Sequence, residues 1–284
     1  MWMVTGGNGR LGRAIVEHLV TIVDPGEVAV GVRDPQIASG LGRLGVEVRR
    51  ADFEDAAAMR TAFDGIERMV LVSTNAMPHT TRYRHLQDAT DAATRAGVDS
   101  IVYTSLITTA PEAIGDVHRL SEHYLRRSGA RVTLLRHPLY LESFVDDLVG
   151  EPSVEAVSDG PINAAWRDDL AEAAARVLAD DARLEVYDFT GPTAWRMSDL
   201  AAEIERQQGR PMPFRRLSEH DFLRHAAGEG APDFLRQILL DLQHTIEAGG
   251  FAHVTDDLAR VLGRPPRSMP DRVAQLSALA ASTG

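Results

Sequence analysis

The sequence contains no cysteine and no lysine, and each absence removes a class of chemistry. Without cysteine, disulfides, thiolate zinc sites, iron–sulfur clusters and cysteine nucleophiles are excluded. Without lysine, a Schiff-base amine is excluded, as is any lysine that acts in proton transfer. All 30 of the residues counted as lysine or arginine are therefore arginine.

Positive charge and long apolar runs are also scarce. The formal net charge is −11. The sequence has no basic block longer than pairs of arginines such as those at 49–50, 126–127 and 215–216. Nucleic-acid binding needs a basic face, so it is not expected. No apolar run has the length that spans a bilayer, and the opening MWMVTGG favours a buried strand over a signal peptide. The expected location is the cytoplasm, without membrane contact.

Short apolar, β-branched runs alternate with helix-like segments through the first half of the 284 residues. The six strand-like runs are MWMVT, EVAVGV, VEVRRADF, RMVLVST, SIVYTS and RVTLLR. The helix-like segments between them include RLGRAIVEHLV, DAAAMRTAFDG and TRYRHLQDATDAATRAG. Such alternation predicts right-handed βαβ units and a parallel sheet covered on both faces. The predicted fold class is α/β, a Rossmann-like doubly wound parallel sheet with a smaller, mostly helical C-terminal lobe.

The second half is less regular. PLYLESFVDDLVG is predicted to be helical, EPSVEAVSDGPINAA a loop, RDDLAEAAARVLADD a helix and EVYDFTG a further strand. The tail is predicted to be mostly helices, with one short strand near MPFRRL. We therefore expect a dinucleotide-binding domain over 1–150, with 162–190 packing back onto it, and a small substrate lobe over 191–284.

A glycine-rich loop joins the first strand to the first helix. In VTGGNGRLGRAIVEHL, Gly6, Gly9 and Gly12 have the spacing G-x-x-G-x-x-G. The first glycine permits a tight turn, the second lets the backbone approach a diphosphate, and the third lets helix and strand pack closely. Glycine is common in ordinary turns, but this position in a βαβ series favours a nicotinamide dinucleotide, held at the helix N-terminus.

The residues at the end of the second strand, VGVRDP, indicate whether NAD or NADP is preferred. An acidic residue here favours the ribose 2′-hydroxyl of NAD, and an arginine favours the 2′-phosphate of NADP. Asp34, followed by Pro35, suits the cap of the next helix. Arg33 has no such local role, although it could simply be solvated. The expected cofactor is therefore NADP(H), with NAD as the alternative.

Other cofactor contacts are expected where the parallel strands end, because ligands bind at the carboxyl ends of such strands. Turn chemistry would explain some of these residues equally well. The full set of expected cofactor-binding residues is Thr5, Gly6, Asn8, Gly9, Arg10, Leu11, Gly12, Arg33, Asp52, Phe53, Ser73, Thr74, Tyr103 and Thr104.

The order and spacing of several motifs resemble the NmrA-like group of atypical short-chain dehydrogenases/reductases, above all its NADPH-dependent quinone reductases and triphenylmethane-dye-reducing relatives. The matching motifs, which extend to about residue 266, are VTGGNGRLG, VRDP, ADFED, YTSL, HRLSE, VTLLRHPLY, WRDDLAEAAARVL, VYDFTGPTAW and LARVLGRPP. The resemblance implies a Rossmann domain, a small C-terminal lobe and a cleft between them.

Typical short-chain dehydrogenases carry a Tyr-x-x-x-Lys pair on the helix after the fifth strand, whereas this chain has His118 and Glu122 at that spacing. The helical period places Val117, Leu120 and Tyr124 on the buried stripe, His118 and Glu122 on its flank, and His123 in solvent. A metal site lacks a third ligand, so none is expected. His118 and Glu122 could be a hydrogen-bonded pair in which the carboxylate raises the imidazole pKa, or an ordinary surface pair.

Three side chains are candidate catalytic donors to the acceptor's oxygens: His118, Tyr140 and Ser105. Tyr140 could instead pack between the domains, and Ser105 could cap its strand. Arg167 with Asp168 or Asp169 is interpreted as capping of a helix start. The chain is expected to be an NADPH-dependent reductase of quinones or related conjugated acceptors, as a monomer or homodimer. The alternatives are a tailoring enzyme acting on a polycyclic aromatic metabolite, and a non-catalytic NAD(P)-binding redox sensor.

Overall fold

A seven-stranded sheet forms the centre of the computed structural model, which describes residues 1–107, 114–148, 150–181 and 183–283. Its strands, in chain order, are β1 Trp2–Thr5, β2 Val28–Val32, β3 Glu47–Arg50, β4 Arg68–Leu71, β5 Ser100–Leu106, β6 Arg131–His137 and, much later, β10 Val186–Asp188. Four shorter strands lie outside this sheet: β7 Leu139–Tyr140, β8 Val154–Ala156, β9 Ala164–Ala165 and β11 Phe214–Arg216.

Twelve helices are present in the described residues. They are α1 Arg10–Leu19, α2 Ser39–Gly42, α3 Ala56–Ala62, α4 His79–Arg95, α5 Ile114–Arg126, α6 Glu142–Val145, α7 Arg167–Ala179, α8 Met197–Gln208, α9 Glu219–Gly228, α10 Asp233–Glu247, α11 Asp257–Leu262 and α12 Met269–Thr283. Among them, no helix is both long and apolar enough to cross a bilayer.

The strand order in the main sheet is β10-β6-β5-β4-β1-β2-β3, and every neighbouring pair is parallel. The chain runs outward from β1 to β3 and then crosses to β4 on the other side of β1. The carboxyl ends of β1 and β4 therefore flank the topological switch point, where open α/β sheets bind their ligands. The predicted Rossmann-like fold is confirmed.

Helices cover both faces of this sheet, which explains why its central strands are almost continuously apolar. On one face, α1 and α7 pack together over side chains that include Val4, Val30 and Val102. On the other face, α3, α4 and α5 pack over a second set that includes Met69 and Ile101. The helices after β4 and β5 thus lie on the same face, which brings their first turns to one edge of the sheet.

A separate core holds the C-terminal lobe together. It joins α8 and α12 to the short strands β8 and β11, with Trp195, Leu200 and Val273 among its buried residues. Leu141 and Val145 also enter this core, whereas α11 packs back against α7 and β10. Elements that pack in the lobe and elements that pack on the sheet therefore alternate along the chain. The proposed boundaries at 150 and 191 remain a prediction.

Two local predictions were wrong. The segment PLYLESFVDDLVG, predicted to be a helix, has only the short helix α6 after the strand β7. The segment predicted to be a loop over 151–165 contains β8 and β9, which pair with β11 and β7. These strands are two or three residues long, so their apolar period was too short to recognise.

Candidate cofactor and acceptor site

The glycine-rich loop has the geometry of an anion cradle. Gly6 adopts a φ of +68°, which a residue with a Cβ rarely adopts, and Gly9 is the N-cap of α1. No side chain caps this helix start, and its first turn contains no acidic residue. The first backbone N–H groups of a helix lack intrahelical partners and carry partial positive charge. The loop therefore fits the diphosphate of a dinucleotide, because an anion there meets donors rather than carboxylates.

Gly12 shows why the third glycine of the motif is required. A Cβ at this position would lie 2.4 Å from the carbonyl oxygen of Gly6 and 2.9 Å from that of Thr5. Both atoms belong to backbone that cannot move aside without disturbing the turn. Any side chain would therefore push α1 away from β1 and open the cradle.

The other loop residues divide into exposed and buried groups. Asn8 and Arg10 are exposed, and the amide of Asn8 donates to the carbonyl oxygen of Asp34 at 3.3 Å. Leu11 lies on the buried face of α1. Thr5 is fully buried, and its hydroxyl accepts from the N–H of Val72 at 2.9 Å. The Thr5 side chain therefore ties β1 to the end of β4, and its contact with the cofactor stays a prediction.

The adjacent charged residues after β2, Arg33 and Asp34, have different surroundings. The carboxylate of Asp34 accepts from the N–H of Gln36 at 2.9 Å and so caps the 3-10 turn Pro35–Ala38. Arg33 is exposed beside it. The acid is thus engaged by its own backbone while the guanidinium extends into solvent, an arrangement that suits a 2′-phosphate.

The ends of β4 and β5 are joined by polar side chains, whereas the residues after β3 make local or ring contacts. Asp52 accepts from the N–H of Glu54 at 3.1 Å, and the ring of Phe53 lies 5.9 Å from that of His85. The N–H of Ser73 donates to the hydroxyl of Thr104 at 2.9 Å. The hydroxyl of Thr74 accepts weakly, at 3.4 Å, from the N–H of Ala76. Ser73, Thr74 and Thr104 therefore lie at the ends of β4 and β5, near the switch point, with Thr104 itself buried, and the cofactor contacts of this whole set stay predictions.

Tyr103 is buried, and its ring lies 6.4 Å from that of His118. Its side chain is 1% exposed and packs in the core beneath α3, α4 and α5. Burial raises the pKa of its phenol to about 12. Tyr103 is thus part of the core, and its contact with the cofactor stays a prediction.

The buried face of α5 differs from the one that the helical period predicted. Leu120 was assigned to the buried stripe but is 53% exposed, whereas His118, Ser121 and Glu122 are buried beside Val117. His123 is exposed, as expected. Glu122 is satisfied by neighbouring side chains and Ser121 donates to the carbonyl oxygen of Val117, whereas Nδ1 of His118 has no partner among the described residues. Hydrophobic periodicity cannot detect such polar burial.

Glu122 does not form the predicted pair with His118. Its carboxylate accepts from Nε of Arg136 at 2.9 Å, from Nη2 of Arg136 at 2.7 Å and from the hydroxyl of Ser105 at 2.7 Å. Burial acts to raise the pKa of Glu122, but the hydrogen bonds from Arg136 and Ser105 hold it below its usual value. The partner of Glu122 is therefore an arginine at the end of β6.

His118 is consequently neutral rather than cationic. Burial, followed by the charge of Arg82, lowers its pKa to about 4, and these effects exceed the opposing one of Glu122. Among the described residues, its buried Nδ1 has no hydrogen-bond partner. Glu122 does act to raise the pKa of His118, as predicted, but burial and the charge of Arg82 outweigh it, so the pKa is lowered and the imidazole is not the predicted cationic proton donor.

Ser105 and Tyr140, the other two predicted donors, both have side-chain partners within the protein. The Ser105 hydroxyl is committed to Glu122, as given above. The ring of Tyr140 lies under the guanidinium of Arg167, 4.7 Å from ring centroid to Cζ, and packs against the core on the α1 and α7 side. Burial raises the pKa of its phenol. Tyr140 and His118 therefore belong to clusters on opposite faces of the sheet.

Three residues near His118 were missed by the sequence analysis: His79 and Arg82 in the first turn of α4, and His137 at the end of β6. His137 could have been found, since it ends a parallel strand. His79 and Arg82 carry no motif, and only the packing of α4 beside α5 brings them to this edge. No group of three or more metal-ligating side chains occurs in the part of the chain that is described.

The fold and the glycine-rich cradle together define a dinucleotide-binding protein. A family model described as NAD(P)H-binding matches residues 6–181, and the chain belongs to this family. Its relatives include quinone oxidoreductase 2 of Escherichia coli, which is 34% identical over 97% of this chain and 98% of that protein.

Two further comparisons agree with this assignment. The crystal structure of the NADPH-dependent quinone oxidoreductase of E. coli in complex with NADPH matches with a TM-score of 0.90 and 33% identity, over 97% of this chain and 99% of that one. The NADP(H) complex of the Citrobacter sp. triphenylmethane reductase matches with a TM-score of 0.91 and 25% identity, over 97% and 99%. The resemblance to the reductases of the NmrA-like group is thereby confirmed.

Proposed function

We propose that the protein is an NADPH-dependent reductase that transfers hydride to a quinone or a related conjugated acceptor. The observation that carries the proposal is the state of the acid–base groups on α5. Glu122 is locked to Arg136 and Ser105, His118 is neutral, and the chain has no lysine. No strong proton donor stands at the position where short-chain dehydrogenases carry theirs.

This arrangement suits one kind of acceptor. Reduction of an isolated ketone produces an alkoxide, a strong base that requires a general acid. A quinone that accepts hydride becomes a delocalised hydroquinone anion, which is a weak base and takes its proton from solvent. The reduced nicotinamide supplies the hydride, and the chain contributes orientation, exclusion of water and neutral hydrogen-bond donors.

Turnover with matched acceptors tests this function. Purified protein with NADPH is expected to reduce 1,4-benzoquinone and 1,4-naphthoquinone but not 2-tetralone, whose ketone is not conjugated. The loss of reduced-nicotinamide absorbance measures turnover. Gly9→Asp should abolish turnover, because it places a carboxylate at the helix start that holds the diphosphate. Tight binding of both NADPH and NADP+ without reduction of any acceptor would contradict the proposal and favour a redox sensor.

Arg33 is proposed to select NADPH over NADH. Arg33→Gln should raise KM for NADPH by roughly 10-fold or more while changing KM for NADH little, since a charged hydrogen bond to phosphate contributes about 1.5–3 kcal/mol. Arg60→Gln is the matched control, because Arg60 is also exposed but lies on α3. Equal changes in KM for the two cofactors would rule out a contact with the 2′-phosphate.

A further inference from the structure

Unsatisfied polar atoms concentrate at one edge of the sheet. Within the described residues, nine buried side-chain nitrogen or oxygen atoms have no hydrogen-bond partner. Five of the nine belong to four neighbouring residues: His79, Arg82, His118 and His137. Buried polar groups are normally paired, so such a concentration indicates a missing partner rather than scattered defects. We call these four residues the edge cluster.

Two histidines of the edge cluster, His118 and His137, are buried, and His79 is partly buried. His118 is 7% exposed and His137 is 3% exposed. The ring of His137 stacks on Phe189 at 5.9 Å, and the ring of His118 lies 6.4 Å from that of Tyr103. Burial lowers the pKa of both imidazoles, so they act as neutral hydrogen-bonding groups.

Arg82 is the exceptional member of the edge cluster. Every other arginine in the described part of the chain either forms a hydrogen bond or ion pair or is exposed to solvent. Arg82 is partly buried, its Nε is fully buried, and no carboxylate lies within ion-pair distance among the described residues. Its charge reaches the imidazoles of His79 and His118, whose pKa values it lowers.

The nearest buried carboxylate does not neutralise this charge. Glu122 already accepts three hydrogen bonds, two from Arg136 and one from Ser105. Within the described residues, the edge cluster therefore carries a guanidinium charge that no carboxylate pairs with, beside two buried imidazoles. Such a charge acts strongly on an anion that forms beside it.

We infer that Arg82 is a catalytic residue that binds the acceptor oxygen on which negative charge develops, with His118 and His137 as neutral partners around the same acceptor. The inference rests on the proposed function. In the step concerned, the C–H bond of the reduced nicotinamide breaks and its hydrogen passes with the electron pair to the quinone. NADPH is oxidised to NADP+, the quinone is reduced to the hydroquinone monoanion paired with Arg82, and a solvent proton completes the hydroquinone.

A binding experiment without turnover isolates this contact. In the complex with NADP+, the anion of 2-hydroxy-1,4-naphthoquinone imitates the charge of the hydroquinone monoanion, and neutral 1,4-naphthoquinone is its uncharged counterpart. The wild-type protein should bind the anion more tightly. Arg82→Met should weaken anion binding about 10- to 100-fold and leave the neutral quinone within a few-fold. Arg82→Lys should restore part of the difference.

Two further measurements separate catalysis from structure. Arg82→Met should lower kcat for 1,4-naphthoquinone on the order of 100-fold, as removal of an oxyanion donor does. Its melting temperature should equal or exceed that of the wild type, because no partner within the described residues loses a contact. Arg95→Met is the matched control on the exposed side of α4, and it should change neither kcat nor anion binding.

The outcomes distinguish this inference from the proposed function. Quinone turnover by the wild type, together with unchanged kcat and anion preference in Arg82→Met, would overturn the assignment of Arg82 alone. A lowered melting temperature in Arg82→Met with unchanged anion preference would identify a structural role and would also overturn it. If the wild type reduces no quinone, the proposed function fails and the catalytic role of Arg82 fails with it.

Discussion

Gly12 leaves no space for a methyl group, and this gives a sharp test of the cofactor cradle. In Gly12→Ala, the added Cβ would lie 2.4 Å from a backbone oxygen of Gly6. We expect weaker NADPH binding and a loss of about 1–3 kcal/mol in the free energy of unfolding, the usual range for overpacking. Calorimetric titration and urea unfolding measure the two effects.

Gly228→Ala is the control for this substitution. Gly228 ends α9, and a Cβ there would meet nothing within 4 Å. It should leave NADPH binding unchanged and stability within about 1 kcal/mol. Comparable effects of the two alanines would mean that the close approach at Gly12 does not set the shape of the cradle.

Glu122 is predicted to stabilise the end of β6 rather than to move protons. Glu122→Gln leaves Arg136 facing a neutral amide in a buried setting, and breaking such a pair costs about 3–5 kcal/mol. The free energy of unfolding should fall by that amount in urea titrations. Glu17→Gln removes an exposed i,i+4 pair with Arg13 and should cost about 0.5 kcal/mol or less. Unchanged stability but abolished turnover in Glu122→Gln would instead point to a proton relay.

The elements of the main sheet could be predicted from the sequence, whereas the polar face of α5 could not. Strands such as β2 and β4 are short apolar runs between turn signals, and their order follows from alternation with helices. The buried face of α5 depends on a partner, Arg136, that is distant in sequence and carries no motif. The acid–base state of His118 depends in turn on Arg82, which only helix packing brings near. Hydrophobic periodicity detects the burial of apolar side chains, whereas the side chains that are buried at the candidate site are polar.

The start of α7 has a larger role than the helix capping that its sequence suggested. Asp169 is fully buried, and its carboxylate accepts from Arg264 at 2.8 Å and from the backbone N–H of Arg267 at 2.7 Å. These bonds fix the segment that leads into α12, and the indole of Trp166 donates to the carbonyl oxygen of Ser268 on the same segment. One carboxylate thereby joins the sheet domain to the end of the lobe.

Asp169→Asn should therefore loosen the attachment of α12. We expect a loss of about 3–5 kcal/mol in the free energy of unfolding and faster amide exchange over α12, because two arginines lose a buried counter-charge. Asp168→Asn is the neighbouring control, since the Asp168 side chain is 52% exposed and should cost less. Equal protection of α12 in the wild type and in Asp169→Asn, measured by hydrogen exchange, would contradict this role.

At the scale of the whole molecule, the doubly wound topology explains how residues far apart in sequence share one site. The carboxyl ends of parallel strands meet at one edge, so the cradle after β1, the turn after β4 and the end of β6 lie on the same side of the sheet. The helices α4 and α5 follow adjacent strands and cover the same face, which adds their first turns to that edge. Under the proposed function, the polar atoms at this edge that lack partners among the described residues would meet the acceptor.

The buried histidines of the edge cluster should make the stability of the whole protein fall in mild acid. The pKa is about 4 for His118 and about 3 for His137, both lowered by burial from 6.5. Between pH 6.5 and about 4 the unfolded chain binds protons at these rings and the folded chain does not, so the free energy of unfolding decreases as the pH falls. Each unit of pKa difference corresponds to roughly 1.4 kcal/mol.

Urea unfolding between pH 7.5 and 5, above the range where carboxylates dominate, should show a smaller decrease in the free energy of unfolding for His137→Asn than for the wild type. The control His123→Asn, on the exposed face of α5, should retain the wild-type decrease, and an undiminished decrease in His137→Asn would show that His137 is protonated in the folded protein.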